Sequence, residues 1–324
     1  MFDVTALGEL LIDFTPHGLS ENGNTIFERN PGGAPANVLA ALSRLGANTA
    51  FIGKVGNDQF GRFLRECLTQ NHIDASGLKI SDKVNTTLAF VHLTEAGDRS
   101  FSFYRDPGAD LMLEPSEIPE DIIAGSGIFH FGSLSLTDEP ARSATLKALK
   151  IALDNGVIIS YDPNLRPPLW KSLSDAEREI RRGLEFADIL KISEEELEFI
   201  TKESDLEKGS RVLADMGIGL IFVTLGPKGT FFRHGSDTGR LDTYDVNVVD
   251  TTGAGDAFLG GILFKMAGKK REDIVRMSKA EIEKMTDFAN AVGALTTTKK
   301  GAIPAVPSLE EVLSCMRDTG RLVL

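Results

Sequence analysis

Residues 250–264 read DTTGAGDAFLGGILF, a short polar and glycine-rich segment that runs directly into an apolar stretch. Gly253, Ala254 and Gly255 have almost no side chain, so their backbone N–H groups can approach a ligand closely. The apolar stretch behind them predicts a helix over Asp256–Met266, whose N-terminus carries a partial positive charge. Phosphate groups bind at such helix N-termini. The segment therefore predicts an anion-binding turn at the start of a helix.

Asp256 is the exception in this turn, because a carboxylate repels a bound phosphate unless it faces the group that will attack that phosphate. In that position Asp256 would act as the base for an attacking hydroxyl. The simpler interpretation is a helix cap in an ordinary strand-to-helix turn of an α/β protein. The segment alone leaves both interpretations open.

The composition is that of an ordinary globular protein. The chain has 324 residues, of which 42% are hydrophobic, and this length allows one large domain or two smaller ones. Its 35 basic and 47 acidic residues give a net charge of −12, which argues against nucleic acid or an anionic membrane as the main partner. Cys67 and Cys315 form no CxxC pair, so neither a disulfide framework nor a thiolate metal site is expected. Without a signal peptide pattern or an apolar run of membrane length, the expected location is cytoplasmic.

Short apolar and β-branched runs alternate with longer amphipathic runs along the chain. This alternation is typical of a mostly parallel sheet covered by helices, so the predicted fold class is α/β. The predicted strands are Val4–Leu7, Ala50–Val55, Ile128–Phe131, Val157–Tyr161, Ile189–Ile192 and Leu220–Thr224. The predicted helices are Ala36–Leu45, Gln59–Gln70, Ala141–Asn155, Asp175–Phe186, Glu194–Thr201, Asp256–Met266 and Glu281–Thr297.

Two segments, Leu11–Phe27 and Thr86–Arg105, interrupt this alternation. The second has alternating polar and apolar residues on both sides of a turn predicted at Glu95–Asp98, which indicates a hairpin. A hairpin inserted between α/β units indicates a small sheet that stands off the main domain. Such a sheet could close over a cleft as a lid and exclude water from a transfer reaction. A plain surface hairpin would have the same pattern.

A second glycine-rich segment lies near the N-terminus, where residues 30–37 read NPGGAPAN. Gly32 and Gly33 allow close backbone approach, and Asn37 offers both a donor and an acceptor, a combination that binds polyols. Upstream, Asp13 is predicted to lie at the carboxyl end of the first strand, where ligands of open α/β sheets bind. Its carboxylate could accept hydrogen bonds from two sugar hydroxyls. A helix cap for Asn37 and a turn residue for Asp13 are the simpler interpretations.

Two further segments have weaker patterns. The segment VTLGPKG at 223–229 could line a nucleotide, although a hairpin turn is the simpler interpretation. Ser193 follows a predicted strand and could cap a helix, whereas Glu196 could reach the water shell of Mg²⁺. Other chemistries lack their patterns, because the sequence has no GxxxxGK[ST] loop, no GxGxxG near its start, no HExxH and no complete GxSxG.

The two glycine-rich segments, together with the 223–229 turn, resemble the signature regions of the ribokinase-like carbohydrate kinase family. Their order and separation are similar to the family over essentially the whole chain, and two such signatures are far more specific together than either alone. Within the family, three segments most resemble fructokinases. They are 103–110, 139–143 and 161–170.

The resemblance implies a single kinase domain over 1–324, built on a doubly wound, mostly parallel sheet with a small β-sheet lid. The lid would be formed by about 11–30 and 84–108, and it often serves as a dimer clasp, so a homodimer through the lid is expected. The implied reaction is transfer of the γ-phosphoryl group of ATP to O6 of fructose. The implied cofactors are ATP and Mg²⁺, with K⁺ as an activator.

The resemblance also implies site residues. Asp256 would be the base, and the backbone N–H groups of Gly253, Ala254, Gly255 and Asp256 would form the anion hole. The residues implied to bind the sugar are Asp13, Gly33, Asn37, Phe103, Arg105, Arg166 and Asp256. The residues implied to line ATP are Ser193, Thr224, Gly226, Gly229 and Asn290. Those implied to form the potassium site are Asp250, Thr252, Lys299, Gly301 and Ala305. The chain departs from the family at Ser193, where many members have the Asn of an N-x-x-E motif. Glu196, which would hold the Mg²⁺ water shell, is kept.

Several alternatives stay open. Arg105 and Arg166 could equally grip a carboxylate, so a 2-keto-3-deoxygluconate kinase is the nearest alternative, and a ribose or riboside kinase is a further one. A non-catalytic sugar-binding protein on the same fold belongs to a different class, and Asp256 with its glycines argues against it. A dehydrogenase is poorly supported because the dinucleotide-binding motif is incomplete. The expected partners are a small sugar and ATP.

Overall fold

The computed structural model describes residues 1–93 and 99–323, and of Leu93 and residues 99–101 it describes the backbone alone. The turn predicted at Glu95–Asp98 lies outside the described residues. The strands are β1 (Phe2–Leu7), β2 (Leu11–Leu19), β3 (Thr25–Gly32), β4 (Thr49–Gly56), β5 (Ile73–Ser81), β6 (Leu88–Leu93), β7 (Arg99–Tyr104), β8 (Ser126–Gly132), β9 (Ile158–Asp162), β10 (Ile189–Ser193), β11 (Leu220–Thr224), β12 (Thr230–His234) and β13 (Asp237–Leu241). The helices are α1 (Ala34–Leu45), α2 (Gln59–Gln70), α3 (Glu120–Ala124), α4 (Ala141–Asp154), α5 (Leu173–Leu184), α6 (Glu194–Thr201), α7 (Leu206–Asp215), α8 (Ala254–Met266), α9 (Arg271–Ile274), α10 (Lys279–Thr296) and α11 (Leu309–Asp318).

The strands form two sheets. The large sheet has nine strands in the order β13-β12-β11-β10-β9-β8-β1-β4-β5, and the small sheet has four in the order β3-β2-β6-β7. In the large sheet β1 pairs in parallel with both β4 and β8, so the chain winds outward in both directions from β1. Among the described residues, the antiparallel pairs of this sheet are β11 with β12 and β12 with β13. The predicted doubly wound, mostly parallel α/β fold is confirmed.

Each predicted strand and helix of the α/β core is present, with boundaries within two residues of the prediction. The prediction omitted β5, the hairpin strands β12 and β13, and the helices α3, α7, α9 and α11. The 223–229 segment is indeed a hairpin turn, because β11 and β12 pair antiparallel across it.

The two faces of the large sheet bury separate apolar clusters. Successive strand residues alternate between them, so that Ile128 and Ile158 face one cluster while Phe129 and Ile159 face the other. This arrangement is typical of parallel strands that are covered by helices on both sides. Among the residues that the structure describes, no helix has the length and apolar character needed to cross a membrane.

The small sheet contains both segments that interrupt the α/β pattern. Asp13 lies in it, in β2 and opposite Asn30 of β3. The prediction that Asp13 ends the first strand is therefore wrong. The chain leaves the large sheet after Leu7, passes through Gly8–Leu10 and starts a strand of the small sheet at Leu11. Apolar residues lie on both sides of that turn, so the sequence pattern does not show where the first strand ends.

Helix α8 is packed tightly between α1 and α10. It is apolar almost all round, as expected of a fully buried helix. A β-carbon built at Gly260 would lie 2.6 Å from the β-carbon of Ala41 in α1. One built at Gly261 would lie 2.9 Å from the α-carbon of Ala289 in α10. These two glycines therefore let the three helices approach more closely than any larger residue would allow.

Candidate active site

The start of α8 and the small sheet enclose a cavity of about 480 Å³ between them. It lies at the carboxyl ends of the parallel strands, where open α/β sheets bind their ligands. We call it the Asp256 cavity. Its lining includes Asp13, Asn30, Asn164, Arg166, Lys191, Asp250, Thr251, Thr252, Gly253, Gly255, Asp256 and Gly301.

The first turn of α8 has the geometry expected of an anion hole. Its N-cap residue, Gly253, is in the left-handed region with φ 75°, and no side chain caps the helix. The N–H of Ala254 donates to the carbonyl of Thr251 at 3.3 Å. The N–H groups of Gly255 and Asp256 belong to the helix start, where a helix provides no acceptor of its own. The uncapped turn therefore presents backbone donors to whatever occupies the cavity.

Asp256 is buried at this turn and does not cap the helix. Its Oδ2 accepts a hydrogen bond from Asn37 Nδ2 at 2.8 Å, and its Oδ1 accepts a longer one from Asn164 Nδ2 at 3.4 Å. Burial raises the pKa of Asp256 above its ordinary value, against the opposing effects of the Lys191 charge and the Asn37 hydrogen bond. A carboxylate that is held by two amides and made more basic is suited to accept a proton.

Asp13 faces Asp256 across the same cavity. Burial raises the pKa of Asp13 to about 6, although the positive charge of Arg166 opposes this shift and the charge of Asp256 adds to it. A β-carbon at Gly32 would lie 2.0 Å from Asp13 Oδ2, so this glycine makes room for the carboxylate. The structure thus places Asp13, Arg166 and Asp256, three of the residues that the resemblance implies for sugar binding, around one cavity.

Gly33 and Asn37 are at the start of α1 and are not among the residues that line this cavity. Gly33 is the N-cap residue with φ 114°, and a β-carbon there would lie 2.3 Å from the carbonyl oxygen of Glu9. Asn37 lies in the first turns of α1, where it donates to Asp256. Its buried Oδ1 has no hydrogen-bond partner among the described residues. Asn37 therefore has one unpaired acceptor beside Asp256.

Phe103 and Arg105 are not brought to the Asp256 cavity. They line a separate cavity of about 360 Å³, together with Pro107 and Thr137. Arg105 is held there by Asp110, because its Nε donates to Asp110 Oδ2 at 2.7 Å. Its other nitrogens donate to Thr137 Oγ1 and to a backbone carbonyl. Contact of these two residues with a sugar stays a prediction.

A third cavity of about 460 Å³ lies on the other side of the α8 start. We call it the Asn290 cavity. Four of the predicted nucleotide residues line it, namely Thr224, Gly226, Gly229 and Asn290. Its apolar lining residues include Pro227, Tyr244, Val246, Val248, Phe258 and Leu322. A largely apolar cavity with a few polar groups at fixed positions suits the flat ring of a nucleotide base.

Ser193 is not among the residues that line the Asn290 cavity. It is the N-cap residue of α6. Its Oγ accepts a hydrogen bond from Glu196 N at 3.1 Å, and Glu196 Oε2 accepts one from Ser193 N at 2.8 Å. The other carboxylate oxygen of Glu196 accepts from Leu165 N. Each carboxylate oxygen has two lone pairs, so Glu196 could still accept a hydrogen bond from a metal-bound water.

The residues predicted to bind a monovalent cation are partly brought together. Asp250 Oδ1 accepts from the N–H of Thr252 at 2.9 Å, and Oδ2 accepts from the N–H of Gly301 at 3.0 Å. Ala305 is buried nearby in the same C-terminal segment. Lys299 points away and donates to Glu311 Oε1 at 3.3 Å, so only its backbone remains for a cation.

The Asp256 and Asn290 cavities meet at the start of α8. Thr251 and Gly255 line both of them. A group that passes from one cavity to the other therefore crosses the N-terminus of this helix, next to Asp256. This is the geometry required to transfer a phosphoryl group between two bound molecules.

Two residues at this site, Lys191 and Asn164, were not found from the sequence. Lys191 lines the Asp256 cavity and donates to Asp162 Oδ2 at 3.0 Å. Asn164 is held in the left-handed region with φ 45° and contacts Asp256. A charged residue within the apolar strand β10 is an unusual feature that could have indicated Lys191. No comparable signal identifies Asn164, because asparagine after proline is ordinary in a turn.

The sequence profile described as pfkB family carbohydrate kinase matches residues 1–309. The chain belongs to the pfkB family of carbohydrate kinases. Among its relatives in the family, the Arabidopsis thaliana protein named probable fructokinase-3 is 44% identical over 318 residues, which cover 97% of this chain and 91% of that protein. The Solanum lycopersicum protein named fructokinase-2 is 42% identical over 317 residues, which cover 97% and 96%.

Solved structures of pfkB-like kinases agree with this assignment. The fructokinase from Xylella fastidiosa with bound ATP is 34% identical, with a TM-score of 0.92 over 98% of this chain and 99% of that one. A double mutant of the fructokinase from Vibrio cholerae O395, in a form with fructose, ADP and potassium ion bound, is 36% identical, with a TM-score of 0.86 over 97% of each chain. This pfkB-family chain is a carbohydrate kinase with the ribokinase-like fold.

Proposed function

We propose that this pfkB-family kinase is a fructokinase, which transfers the γ-phosphoryl group of ATP to O6 of D-fructose. The observation that carries the proposal is the meeting of the Asp256 and Asn290 cavities at the uncapped start of α8. The names of the plant relatives and of the solved structures support fructose as the acceptor.

In the proposed reaction Asp256 accepts the proton of the attacking hydroxyl. The backbone N–H groups of Gly253, Ala254, Gly255 and Asp256 form the anion hole for the transferring phosphoryl group. Phosphoryl transfer depends on alignment and charge stabilisation more than on covalent help from the enzyme. Donors that are fixed by a helix start provide this stabilisation without reorganising during the reaction.

The sugar occupies the Asp256 cavity in this proposal. Asp13 and Asn37 accept hydrogen bonds from its hydroxyls, Arg166 donates one, and Gly33 lets the backbone come close. The carboxylate of Asp13 and the unpartnered Oδ1 of Asn37 support these roles. Phe103 and Arg105 remain candidates for contact with the sugar from the small sheet.

The nucleotide occupies the Asn290 cavity, along Thr224, Gly226, Gly229 and Asn290. Mg²⁺ would neutralise the phosphate oxygens, and Glu196 has lone pairs left for its water shell. K⁺ would be held near Asp250, Thr252, Gly301 and Ala305. The test of the K⁺ site is to replace K⁺ with tetramethylammonium at constant ionic strength. We expect kcat to fall, and an unchanged kcat would remove K⁺ from the proposal.

The proposal treats 1–324 as one kinase domain, in which about 11–30 and 84–108 form the lid. The lid would pair with that of a second copy across a twofold axis. Leu19, Ile26 and Tyr104 of the small sheet expose large apolar side chains, which supports such an interface. The cytoplasmic location expected from the sequence stays a prediction.

Release of ADP from Mg²⁺ATP in the presence of K⁺ tests the substrate. The assay compares kcat/KM for fructose, 2-keto-3-deoxygluconate, ribose and glucose under identical conditions. We expect a preference for fructose of about tenfold or more, which corresponds to about 1.4 kcal/mol in transition-state binding. A preference for the sugar acid would instead assign Arg166 of the Asp256 cavity to its carboxylate and overturn the proposal.

The base is tested by Asp256→Asn, with Asp154→Asn on the exposed surface of α4 as the matched control. We expect Asp256→Asn to bind ATP as before and to lose kcat by roughly 10²- to 10⁴-fold, the usual contribution of a general base. The control should keep its kcat. If Asp256→Asn keeps kcat within about threefold, Asp256 is not the base.

A further inference from the structure

Lys191 is a buried lysine beside the predicted anion hole. It lies in β10, and its side chain lines the Asp256 cavity with 9% of its surface exposed. Its Nζ would be 3.1 Å from a β-carbon built at Gly255, so the ammonium group lies against the first turn of α8. The Lys191 ammonium and the N–H donors of this turn therefore point at the same region.

The hydrogen bonds of Lys191 are incomplete. An ammonium group has three N–H donors. One of them is donated to Asp162 Oδ2 at 3.0 Å, and that carboxylate is its only hydrogen-bond acceptor among the described residues. A buried lysine with donors to spare is costly to a fold unless a ligand accepts from them.

Lys191 keeps its proton in this setting. Burial lowers the pKa of Lys191, but the carboxylates of Asp162, Glu196 and Asp256 outweigh that effect and raise it. His130 is also near, and burial lowers its pKa to about 3, so it contributes no positive charge near neutral pH. Lys191 and Arg166 therefore supply the cationic side chains around Asp256, where the carboxylates of Asp162 and Glu196 also converge.

We propose that Lys191 is a further residue of the phosphoryl-transfer site and that its free N–H donors contact the oxygens of the transferring phosphoryl group. This inference rests on the proposed function. As the bond from the sugar oxygen to phosphorus forms, the bond from phosphorus to the β-phosphate oxygen of ADP breaks, and the hydroxyl proton moves to Asp256. Lys191 keeps its own proton throughout and stabilises the negative charge on the phosphoryl oxygens.

This role explains why residue 255 is glycine. Gly255 does not have a left-handed conformation, so its backbone would accept an ordinary side chain. The nearest atom to an added β-carbon is the Lys191 ammonium nitrogen, at 3.1 Å, and the next is the Lys191 ε-carbon at 3.5 Å. A side chain at 255 would therefore push the ammonium group away from the helix start.

The competing explanation is that Lys191 only neutralises Asp162 within the core. Loss of one partner of such a pair leaves an uncompensated buried charge, whereas loss of both is often tolerated. The two explanations thus differ for the double variant Lys191→Met with Asp162→Asn. A purely structural pair predicts that the double variant recovers activity, and a phosphoryl contact predicts that it does not. Asn at 162 keeps the oxygen that accepts from the N–H of Asn164.

The experiment compares Lys191→Met, Asp162→Asn, the double variant and the wild type, with Lys150→Met as the control on the exposed surface of α4. Calorimetry measures binding of Mg²⁺ with ADP or with AMP-PNP, an ATP analogue that retains a γ-phosphoryl group. We expect Lys191→Met to lose AMP-PNP affinity by about 10- to 100-fold, as when a hydrogen bond to a charged group is lost. Its ADP affinity should stay within about threefold of the wild-type value, because ADP lacks the γ-phosphoryl group that Lys191 is proposed to contact.

The kinetic result should agree with the binding result. We expect kcat with fructose to fall by roughly 10²- to 10³-fold in Lys191→Met and equally in the double variant, which is the loss seen when one donor to a developing anion is removed. Recovery in the double variant, or AMP-PNP affinity within about threefold of wild type in Lys191→Met, would overturn the inference. If the wild type fails to phosphorylate fructose, the proposed substrate fails, while the nucleotide affinities still decide the role of Lys191.

Discussion

Replacing Gly253 with alanine tests the strain at the start of α8. The residue has φ 75°, and an L-residue in the left-handed region costs roughly 1–2 kcal/mol. A β-carbon there would lie 2.6 Å from the β-carbon and 3.0 Å from the α-carbon of Ala302. Relief requires a backbone shift, and overpacking of this kind costs about 1–3 kcal/mol. We therefore expect Gly253→Ala to lower the free energy of unfolding by about 2–5 kcal/mol.

The matched control is Gly156→Ala, after helix α4. Gly156 has φ 67°, and a β-carbon built there has no atom within 4 Å. It therefore carries the conformational cost of about 1–2 kcal/mol without the contact cost. The difference between the losses of unfolding free energy in the two variants measures the cost of the contact with Ala302. We expect this cost to be about 1–3 kcal/mol.

Urea unfolding of both variants gives the two free energies, and ADP release gives kcat. Because Gly301 is bonded to Asp250, a shift of Ala302 should also move the turn that holds the anion hole. A displacement of about 1 Å at a reacting site costs about 10²-fold in rate, so we expect Gly253→Ala to lose kcat and Gly156→Ala to keep it. Equal losses of stability in the two variants, with kcat unchanged in both, would refute this account.

Three further predictions concern pH and assembly. Burial raises the pKa of Glu9 from 4.5 to about 7. Between these pH values the folded protein holds a proton on Glu9 that the unfolded chain has lost. The free energy of unfolding should therefore fall by about 3 kcal/mol as pH rises from 4.5 to about 7. Glu9→Gln should flatten this slope in urea unfolding at several pH values, and an unchanged slope would assign it to other groups. The pKa of Asp13 is about 6, so kcat/KM for fructose should fall as pH drops below about 6, and a flat profile there would argue against a role for its carboxylate. Ile26→Lys on the small sheet should convert the expected dimer to a monomer in analytical ultracentrifugation, whereas Val212→Lys on α7 should not. A dimer that survives Ile26→Lys would place the interface elsewhere.

The α/β core was predictable because its signals are local. Periodic apolar runs define Gln59–Gln70 and Leu220–Thr224, and glycines mark the turns that follow strands and helices. Asp256 was also accessible, because the chemistry of a carboxylate in a glycine-rich helix start is readable from one segment. The position of Asp13 was not, since apolar residues precede and follow the turn at Gly8–Leu10 and read as one continuous strand.

The remaining site residues depend on contacts between distant segments. Arg105 is held by Asp110, and nothing in the sequence indicates that this pair forms in preference to contact with a sugar. Lys191 lies in an apolar strand, and its partner Asp162 is on the neighbouring strand. Tyr244 and Val246 line the Asn290 cavity from an irregular segment without periodicity. Such residues are identified only when the fold brings them together.

Helix α8 carries Asp256 in its first turn, and α1 and α10 pack so closely against it that Gly260 and Gly261 have no room for a methyl group. The contacts that hold the core together therefore also set the position of the reacting carboxylate. A substitution at Gly260 would be scored in a genetic screen as an active-site lesion, although the residue faces α1 and not the cavity. Directed evolution toward new sugars should accordingly leave α8 unchanged and diversify the small sheet, which contributes Asp13 to the same cavity.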